Sequence, residues 1–164
     1  MVLHILRHAE AEDSAPGGDD ADRKLTDAGQ KRMRLVGRAI AKTLEPSYDV
    51  ILVSPLVRAR QTAEPVADAC GFSRELRETD ALLPNAAPDA VLGELGKLRA
   101  ETVLVVGHEP HVGRLFGRLL AGDDRLEVPM KKASLAAFEA DGEPSSASWE
   151  LKLYLPARIL ERLA

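Results

Sequence analysis

The stretch VLHILRHAE, residues 2–10, decides the fold and raises the question of function. It begins with an apolar run typical of a buried β-strand, and the run ends in the adjacent polar side chains of Arg7 and His8. Polar groups at the end of a buried strand must be either paired or used in chemistry. The stretch therefore predicts a strand whose carboxyl end carries a binding or reactive group.

Alternating patterns along the chain predict a three-layer α/β/α fold. The runs YDVILVSP (residues 48–55) and TVLVVG (residues 102–107) have the composition of strands buried on both faces. Helical patterns over residues 26–44, 57–70, 88–98 and 112–120 lie between and after these strands. Strands that alternate with helices favour a mostly parallel central sheet covered on both faces.

The C-terminal third has a different pattern. The runs ASLAAFEA (residues 133–140) and SWELKLYL (residues 148–155) predict a hairpin around residues 141–142, and Pro156 begins a last short helix. Residues 12–23 predict an exposed loop, and RELRETDAL (residues 74–82) can hold a short strand. The whole chain, residues 1–164, fits one domain.

Composition excludes several classes of protein. With 22 basic and 26 acidic residues, the formal charge of −4 favours neither nucleic acid nor an anionic membrane as a partner. Cys70 is the single cysteine, which fits a reducing compartment. The first apolar run is too short for a signal peptide, and no run reaches transmembrane length. We therefore expect a soluble cytoplasmic monomer.

Polar side chains follow three of the predicted strands at the point where each strand ends. Arg7 and His8 follow the first strand, Ser54 and Arg58 the second, and His108 the third. Ligands of open α/β sheets bind beyond the carboxyl ends of the strands, so we expect these groups to surround one ligand. Guanidinium groups and a helix N-terminus match phosphate oxygens. The sequence predicts a phosphate site.

Other phosphate chemistries leave marks that this sequence lacks. It contains no G-x-x-x-x-G-K-[ST] loop, no H-E-x-x-H motif and no carboxylate-rich cluster, and Cys70 lies inside a predicted helix with no arginine loop after it. Histidine remains as the nucleophile. Its neutral ring attacks near pH 7 when a hydrogen bond, often to a backbone carbonyl, fixes the other nitrogen. We expect a phosphohistidine intermediate and no metal or cofactor.

Four separated motifs resemble those of the histidine phosphatase superfamily, and in particular its small SixA-type members. LRHAE (residues 6–10) resembles the R-H-G signature with Ala9 in place of the usual glycine, and RKLTDAG (residues 23–29) resembles the arginine loop and the start of the first helix. SPLVRARQTA (residues 54–63) and VVGHEP (residues 105–110) resemble the remaining two motifs. The resemblance implies a phosphoglycerate mutase-like fold.

The same resemblance implies roles for individual residues. It makes His8 the nucleophile, Arg7 and Arg58 the phosphate clamps, and His108 a donor to a phosphate oxygen in the transition state. Arg23 matches an additional arginine of the small subgroup, on a loop able to close over the phosphate. Ala9 must avoid positive φ, because it carries a Cβ.

The proton donor for the leaving group stays open. Larger family members use a glutamate from the middle of the chain, and here the candidates are Glu10, Glu78, Asp80 and Glu109. A missing donor favours N–P bonds, because a phosphohistidine protonated at its other nitrogen needs the donor less than an alkoxide does.

The number of residues available for a lid over the site indicates the class of substrate. Between Thr62 and His108 lie 45 residues, which leaves little for a helical lid and predicts a shallow, open site. We expect a metal-independent phosphatase that acts on phosphohistidine of a partner protein, such as a histidine-containing carrier. A phosphatase of a small sugar or nucleotide phosphate is the alternative, and a non-catalytic phosphoprotein-binding module is a third hypothesis.

Several other polar residues have ordinary structural interpretations. We interpret His4 as a satisfied core residue, Arg60 as an ion-paired helix residue and His111 as a loop residue near the rim. Gly107 is expected to permit a tight turn. His108 and His111 form an H-x-x-H pair, but two ligands without a third give weak support for a metal.

Overall fold

The structure is a computed structural model that describes residues 1–123, 125–144 and 148–164. Within them the strands are β1 (Val2–Arg7), β2 (Val50–Val53), β3 (Arg77–Glu78), β4 (Thr102–Gly107), β5 (Leu135–Ala140) and β6 (Trp149–Leu155). The helices are α1 (Asp27–Leu44), α2 (Val57–Ala69), α3 (Pro88–Leu95), α4 (His111–Ala121) and α5 (Ala157–Leu163). These elements match the predicted ones, with small differences at their ends.

The six strands form one mixed sheet in the order β3-β2-β4-β1-β5-β6 across the described residues. Strands β1 to β4 pair in parallel, whereas β5 is antiparallel to β1 and to β6. The parallel part comes from the strands that alternate with helices, and the antiparallel edge is the predicted hairpin. The mostly parallel sheet predicted from the sequence is confirmed.

Helices cover both faces of the sheet and complete the three layers. On one face, Met33, Val36 and Ile40 of α1 are fully buried in a core shared with α2 and α5. On the other face, α3 and α4 pack over a second core that contains Leu92 and Phe116. The apolar face of α1 is therefore buried in the core, as the helical spacing of these residues predicts.

The start of α1 sits close to the end of β1. Thr26 caps the helix by accepting the N–H of Gly29 at 3.1 Å, and its own N–H donates to the carbonyl of Glu10 at 3.0 Å. A Cβ at Gly29 would lie 2.2 Å from the same carbonyl oxygen, so only glycine permits this approach. The L-T-x-x-G motif thus joins α1 to the loop after His8.

No helical lid interrupts the chain between α2 and β4. Residues 70–101, all of which are described, contain β3, a 3-10 turn (Asp80–Leu82) and α3, which packs beside α4. The expected absence of a large lid insertion is confirmed. Of the helices formed by the described residues, none has the length and apolar character needed to cross a bilayer.

Candidate active site

The ends of β1 and β4 bring two imidazoles together. The two strands pair in parallel with Arg7 opposite Gly107, so that His8 and His108 follow side by side. Their ring centroids lie 4.9 Å apart, with an angle of 51° between the ring planes. The exposed fractions are 8% for His8 and 1% for His108. Parallel register is therefore what assembles this part of the site.

The His8 ring is oriented by a hydrogen bond to the backbone. Nδ1 lies 2.7 Å from the carbonyl oxygen of Ala9, and because a carbonyl can only accept, Nδ1 carries the proton and donates. In the neutral ring, Nε2 keeps its lone pair. Ala9 has no positive φ, and its N–H donates to the hydroxyl of Thr62 at 3.1 Å. Thr62 in turn donates to the carbonyl of Arg58 at 2.7 Å.

Burial keeps His8 in its neutral form. The pKa of His8 is lowered from 6.5 to about 4, mainly by desolvation; the hydrogen bond to Ala9 opposes this shift, and the charges of Arg58 and Arg7 add to it. At neutral pH the ring is therefore unprotonated at Nε2, which is the form that attacks an electrophile.

His108 is held by a residue that follows the neighbouring strand β2. Its Nε2 lies 2.8 Å from Oγ of Ser54, and the N–H of Ser54 donates to the carbonyl of Val106 at 3.1 Å. Its Nδ1 is buried and has no hydrogen-bond partner in the described part of the chain. Burial lowers the pKa of His108 well below its usual value, and His8 and Arg58 add to that effect.

Arg7 reaches from the end of β1 toward the start of β5. Its Nη1 donates to the carbonyl of Met130 at 2.5 Å, while its buried Nε has no hydrogen-bond partner among the residues described. The N–H of Ala133 lies 3.1 Å from the carbonyl of Arg7 and 3.3 Å from that of His8. Residues 130–134 therefore pack against the active-site end of β1.

Arg58 is 5% exposed and contacts a residue that the sequence reasoning missed. Its Nη1 donates to the backbone carbonyl of Asp20 at 2.7 Å and its Nη2 to Oδ2 of Asp20 at 2.9 Å. Oδ1 of Asp20 accepts from Arg23 at 2.7 Å. Hydrogen bonds from Arg23 and Arg58 lower the pKa of Asp20, so this carboxylate is ionised. One carboxylate thus joins two of the predicted phosphate arginines.

Residues 12–23 form an exposed loop, as the sequence predicts, but one turn of this loop also contacts the site. A 3-10 turn (Asp20–Asp22) brings Asp20 over Arg58, and Arg23 donates to the carbonyl of Glu12 at 2.6 Å. With His8, Arg58 and His108 at 8%, 5% and 1% exposure, the active-site side chains are more buried than a shallow, open site implies. The spacing of three residues between Asp20 and Arg23 is the one local signal for this arrangement.

The ends of β1 and β4 and the start of α2 thus place Arg7, Arg58 and a second imidazole near the neutral ring of His8. Comparison with known proteins agrees. Residues 3–83 match the family model of the histidine phosphatase superfamily (branch 1). The phosphohistidine phosphatase SixA homolog of Haemophilus influenzae is 33% identical over 156 residues, which cover 88% of this chain and 92% of that protein. This chain belongs to the histidine phosphatase superfamily.

Solved structures agree with this assignment. The structure of the protein histidine phosphatase SixA complexed with tungstate matches this histidine phosphatase with a TM-score of 0.85 and 27% identity, over 96% of this chain and 98% of that one. A putative alpha-ribazole-5'-P phosphatase from Escherichia coli K-12 has a TM-score of 0.74 at 16% identity, over 97% and 98% of the two chains, and shares the fold. Within the superfamily, the chain is a SixA-type phosphatase.

None of the four candidate proton donors of this histidine phosphatase contacts His8 in the described part of the chain. Glu10 and Glu78 each pair with an arginine of a neighbouring helix, and Glu109 accepts the N–H of Met130 at 2.8 Å. Asp80 is exposed in the 3-10 turn after β3. None of these contacts joins a candidate to His8. In the part of the chain that the structure describes, no cluster of three or more His, Cys, Asp and Glu side chains could hold a metal ion.

Two interpretations made from the sequence are wrong. His111 is not a loop residue near the rim: it is fully buried as the first residue of α4, because it shares the buried face with Leu115, four residues later. Gly107 ends β4 without a positive φ, and a Cβ there would lie 3.1 Å from a methyl group of Val112. Close packing, rather than a tight turn, accounts for Gly107.

Two other interpretations are confirmed. The Nδ1 atom of His4 lies 2.7 Å from the hydroxyl of Tyr48 inside the fold. Arg60 forms ion pairs with Glu64 at 3.4 Å and with Glu78 at 2.6 Å.

Proposed function

We propose that this phosphatase removes phosphate from phosphohistidine on a partner protein, with phosphorylated His8 as the intermediate. The observation that carries the proposal is the 2.7 Å hydrogen bond from Nδ1 of His8 to the carbonyl of Ala9. It leaves Nε2 as the unprotonated ring nitrogen, in the electrostatic field of Arg7 and Arg58. A positioned lone pair among guanidinium groups suits in-line attack on phosphorus.

The proposed reaction has two displacements at phosphorus. First, Nε2 of His8 bonds to phosphorus while the bond to the substrate imidazole breaks, and its electron pair stays on the departing nitrogen. A water oxygen then bonds to the phosphorus of phosphorylated His8 and loses one proton to solvent. The P–N bond breaks, its electron pair returns to Nε2, and inorganic phosphate leaves.

The other site residues are proposed to hold the phosphoryl oxygens. Arg7 and Arg58 supply planar donors, and the partnerless Nε of Arg7 and Nδ1 of His108 would gain partners when an oxyanion binds. Arg23 approaches the same site through Asp20. The tungstate held by the similar SixA structure is a tetrahedral oxyanion, which supports a site of this shape.

The surroundings of the carboxylates favour an imidazole leaving group. Glu10, Glu78 and Glu109 are engaged elsewhere, and Asp20 is ionised between two arginines, which makes it a poor acid. An alkoxide needs protonation to leave, whereas the imidazole of a protonated phosphohistidine leaves as a neutral ring. We propose that turnover needs no metal, so activity should survive chelators. We also propose a cytoplasmic location, which a chain with one cysteine favours.

The test uses a histidine-containing carrier protein that carries radiolabelled phosphate on its histidine. The wild-type chain should release phosphate and, in a rapid quench, show an acid-labile, alkali-stable label on His8. In His8→Gln both label and turnover should fall by roughly 10⁴-fold, because the nucleophile is absent. Turnover retained by His8→Gln would end the proposal.

A matched control is His4→Gln. His4 lies on the same strand, contacts Tyr48 and lies outside the site, and glutamine can still bond to the hydroxyl. This variant should keep the label on His8, and circular dichroism checks that both variants fold.

The alternative substrate is a small phosphomonoester. This alternative is supported by the fold shared with the putative alpha-ribazole-5'-P phosphatase. A panel of sugar and nucleotide phosphates, tested beside the phosphorylated carrier, separates the two: a kcat/KM for any panel member above that for the carrier would favour the alternative.

A further inference from the structure

A pocket of about 470 Å³ adjoins Arg7, and five of its nine lining residues are Arg or Lys, against one acidic residue, Glu10. Its lining includes Arg7, Arg32, Lys131, Lys132, Tyr154 and Arg158. We call this cavity the basic pocket. The SixA-type reaction described above does not use it, apart from Arg7.

The positive charge of the basic pocket is largely uncompensated. Arg32 is neutralised by ion pairs with Glu10 and Glu161. The exposed side chains of Lys131, Lys132 and Arg158, by contrast, form no ion pair with any residue that the structure describes. The chain as a whole carries a charge of −4, so this local field has the opposite sign to the molecule. Such a patch attracts an anionic partner.

The basic pocket adjoins the active site through Arg7. Arg7 belongs to both, and the segment that carries Lys131 and Lys132 bonds to the backbone of Arg7 and His8 through Ala133. The charge of Lys132 is also felt at His8, where it disfavours protonation of the ring. A group in the pocket would therefore be attached close to the phosphate that His8 attacks.

The size and chemistry of the basic pocket fit side chains of a protein. Its volume exceeds what one phosphate needs, and Tyr154 and Pro156 give it an apolar wall next to the cations. Carboxylates on short aliphatic stems match both features. A duplex nucleic acid would need a longer basic stripe than three unpaired cations.

We propose that the basic pocket is the docking site for an acidic segment next to the phosphohistidine of the substrate protein. Lys131 and Arg158 bind its carboxylates at the rim, while the phosphate enters between Arg7 and Arg58. This inference rests on the proposed function and names its substrate class: phosphohistidine with acidic flanks.

The experiment compares two synthetic phosphohistidine peptides, flanked on both sides by glutamates or by glutamines. With the wild-type chain, kcat/KM for the glutamate peptide should be about tenfold higher, mainly through KM, because complementary rim charges promote encounter and binding. Raising the salt from about 0.05 to 0.5 M should shrink that ratio, since screening lengths fall below the spacing of the charges.

The variant that tests the pocket is Lys131→Glu/Arg158→Glu. The glutamate-to-glutamine ratio should fall to about one or below it, because both unpaired rim cations are reversed. The ratio is internal to each variant, so a general loss of activity does not affect it. The matched control is Lys97→Glu/Arg99→Glu, an equal charge change on exposed residues. These residues precede β4 and so lie toward the amino ends of the parallel strands, away from the active site. It should keep the tenfold preference.

Equal kcat/KM for the two peptides in the wild type, or a preference that survives Lys131→Glu/Arg158→Glu, would overturn the inference. So would binding of single-stranded RNA or anionic vesicles that is lost in this variant while the peptide preference remains. If neither peptide is hydrolysed, the proposed function fails, and binding of the unphosphorylated peptides still tests the pocket. Tighter binding of the glutamate peptide supports it, and equal binding overturns it.

Discussion

The two imidazoles at the strand ends are held more firmly than the charged pair that residues 12–23 bring to the same site. His8 and His108 are 8% and 1% exposed and follow directly from paired strands. The side chains of Asp20 and Arg23 are 60% and 25% exposed and are held by hydrogen bonds and ion pairs. The difference separates imidazoles that paired strands fix in place from a charged pair that only side-chain contacts of an exposed loop hold.

Arg58 lies between these two regions. Its backbone belongs to the buried face of α2, and its guanidinium group donates to Asp20 of the exposed loop. Replacing or loosening the loop contacts should therefore change binding of the anion, whereas changes at the strand ends should change the chemistry. The following predictions test this separation.

After His8→Gln, the largest effect is expected for Arg58→Lys. Lysine keeps the charge but loses the planar fork that contacts Asp20 and that we propose also holds the phosphoryl oxygens, so kcat/KM should fall by about 10²-fold. Steady-state kinetics with the phosphorylated carrier measures this loss. The control is Arg60→Lys on the same helix, where the side chain is exposed and pairs with Glu78, and a change of twofold or less is expected. A similar small change for Arg58→Lys would show that the fork is not used.

A smaller effect is expected for Asp20→Asn. Removing the carboxylate charge weakens its bonds to Arg58 and Arg23, so KM should rise by about tenfold with little change in kcat, because the loop orients donors but does not touch the nucleophile. The matched control is Asp22→Asn in the same exposed turn, which should behave like the wild type.

An increase in kcat/KM for Asp20→Asn would reverse the assignment. It would mean that the carboxylate competes with the phosphate for Arg58 instead of holding the arginine in place. Binding of inorganic phosphate, measured by calorimetry on both variants, distinguishes weaker orientation from relieved competition.

The smallest effect concerns pH. Because the pKa of His8 is about 4 rather than 6.5, the ring should stay neutral at pH 5.5, where a solvated histidine is mostly protonated. An NMR titration of the His8 ring, assigned through its loss in His8→Gln, measures the midpoint. A midpoint near 6.5 would contradict this prediction, because it would mean that the His8 ring is solvated like a side chain of the exposed loop.

The same shift has a consequence for stability. His4, His8 and His111 have pKa values lowered by burial to about 4, so the unfolded chain binds more protons than the folded chain below pH 6.5. The free energy of unfolding should be greatest above pH 6.5 and should decline as pH falls toward and through 4. Urea unfolding at a series of pH values checks the direction.

Much of this site could be read from the sequence. The apolar runs before Arg7 and His108 predicted strands, and the carboxyl ends of neighbouring parallel strands must share one edge of a sheet. The hydrogen bond from His8 to a backbone carbonyl was likewise expected on chemical grounds, since a neutral imidazole nucleophile needs one nitrogen fixed. Local periodicity carries this information, because it sets which segments bury and where they stop.

The tertiary structure alone decided the contacts between distant segments. Asp20 meets Arg58 across 38 residues, and Arg7 meets the carbonyl of Met130 across 123. The burial of His111 also depends on which face of α4 packs against the sheet. No local pattern encodes such pairings, since they arise only when packed layers bring together backbone and side-chain groups that each segment leaves unsatisfied.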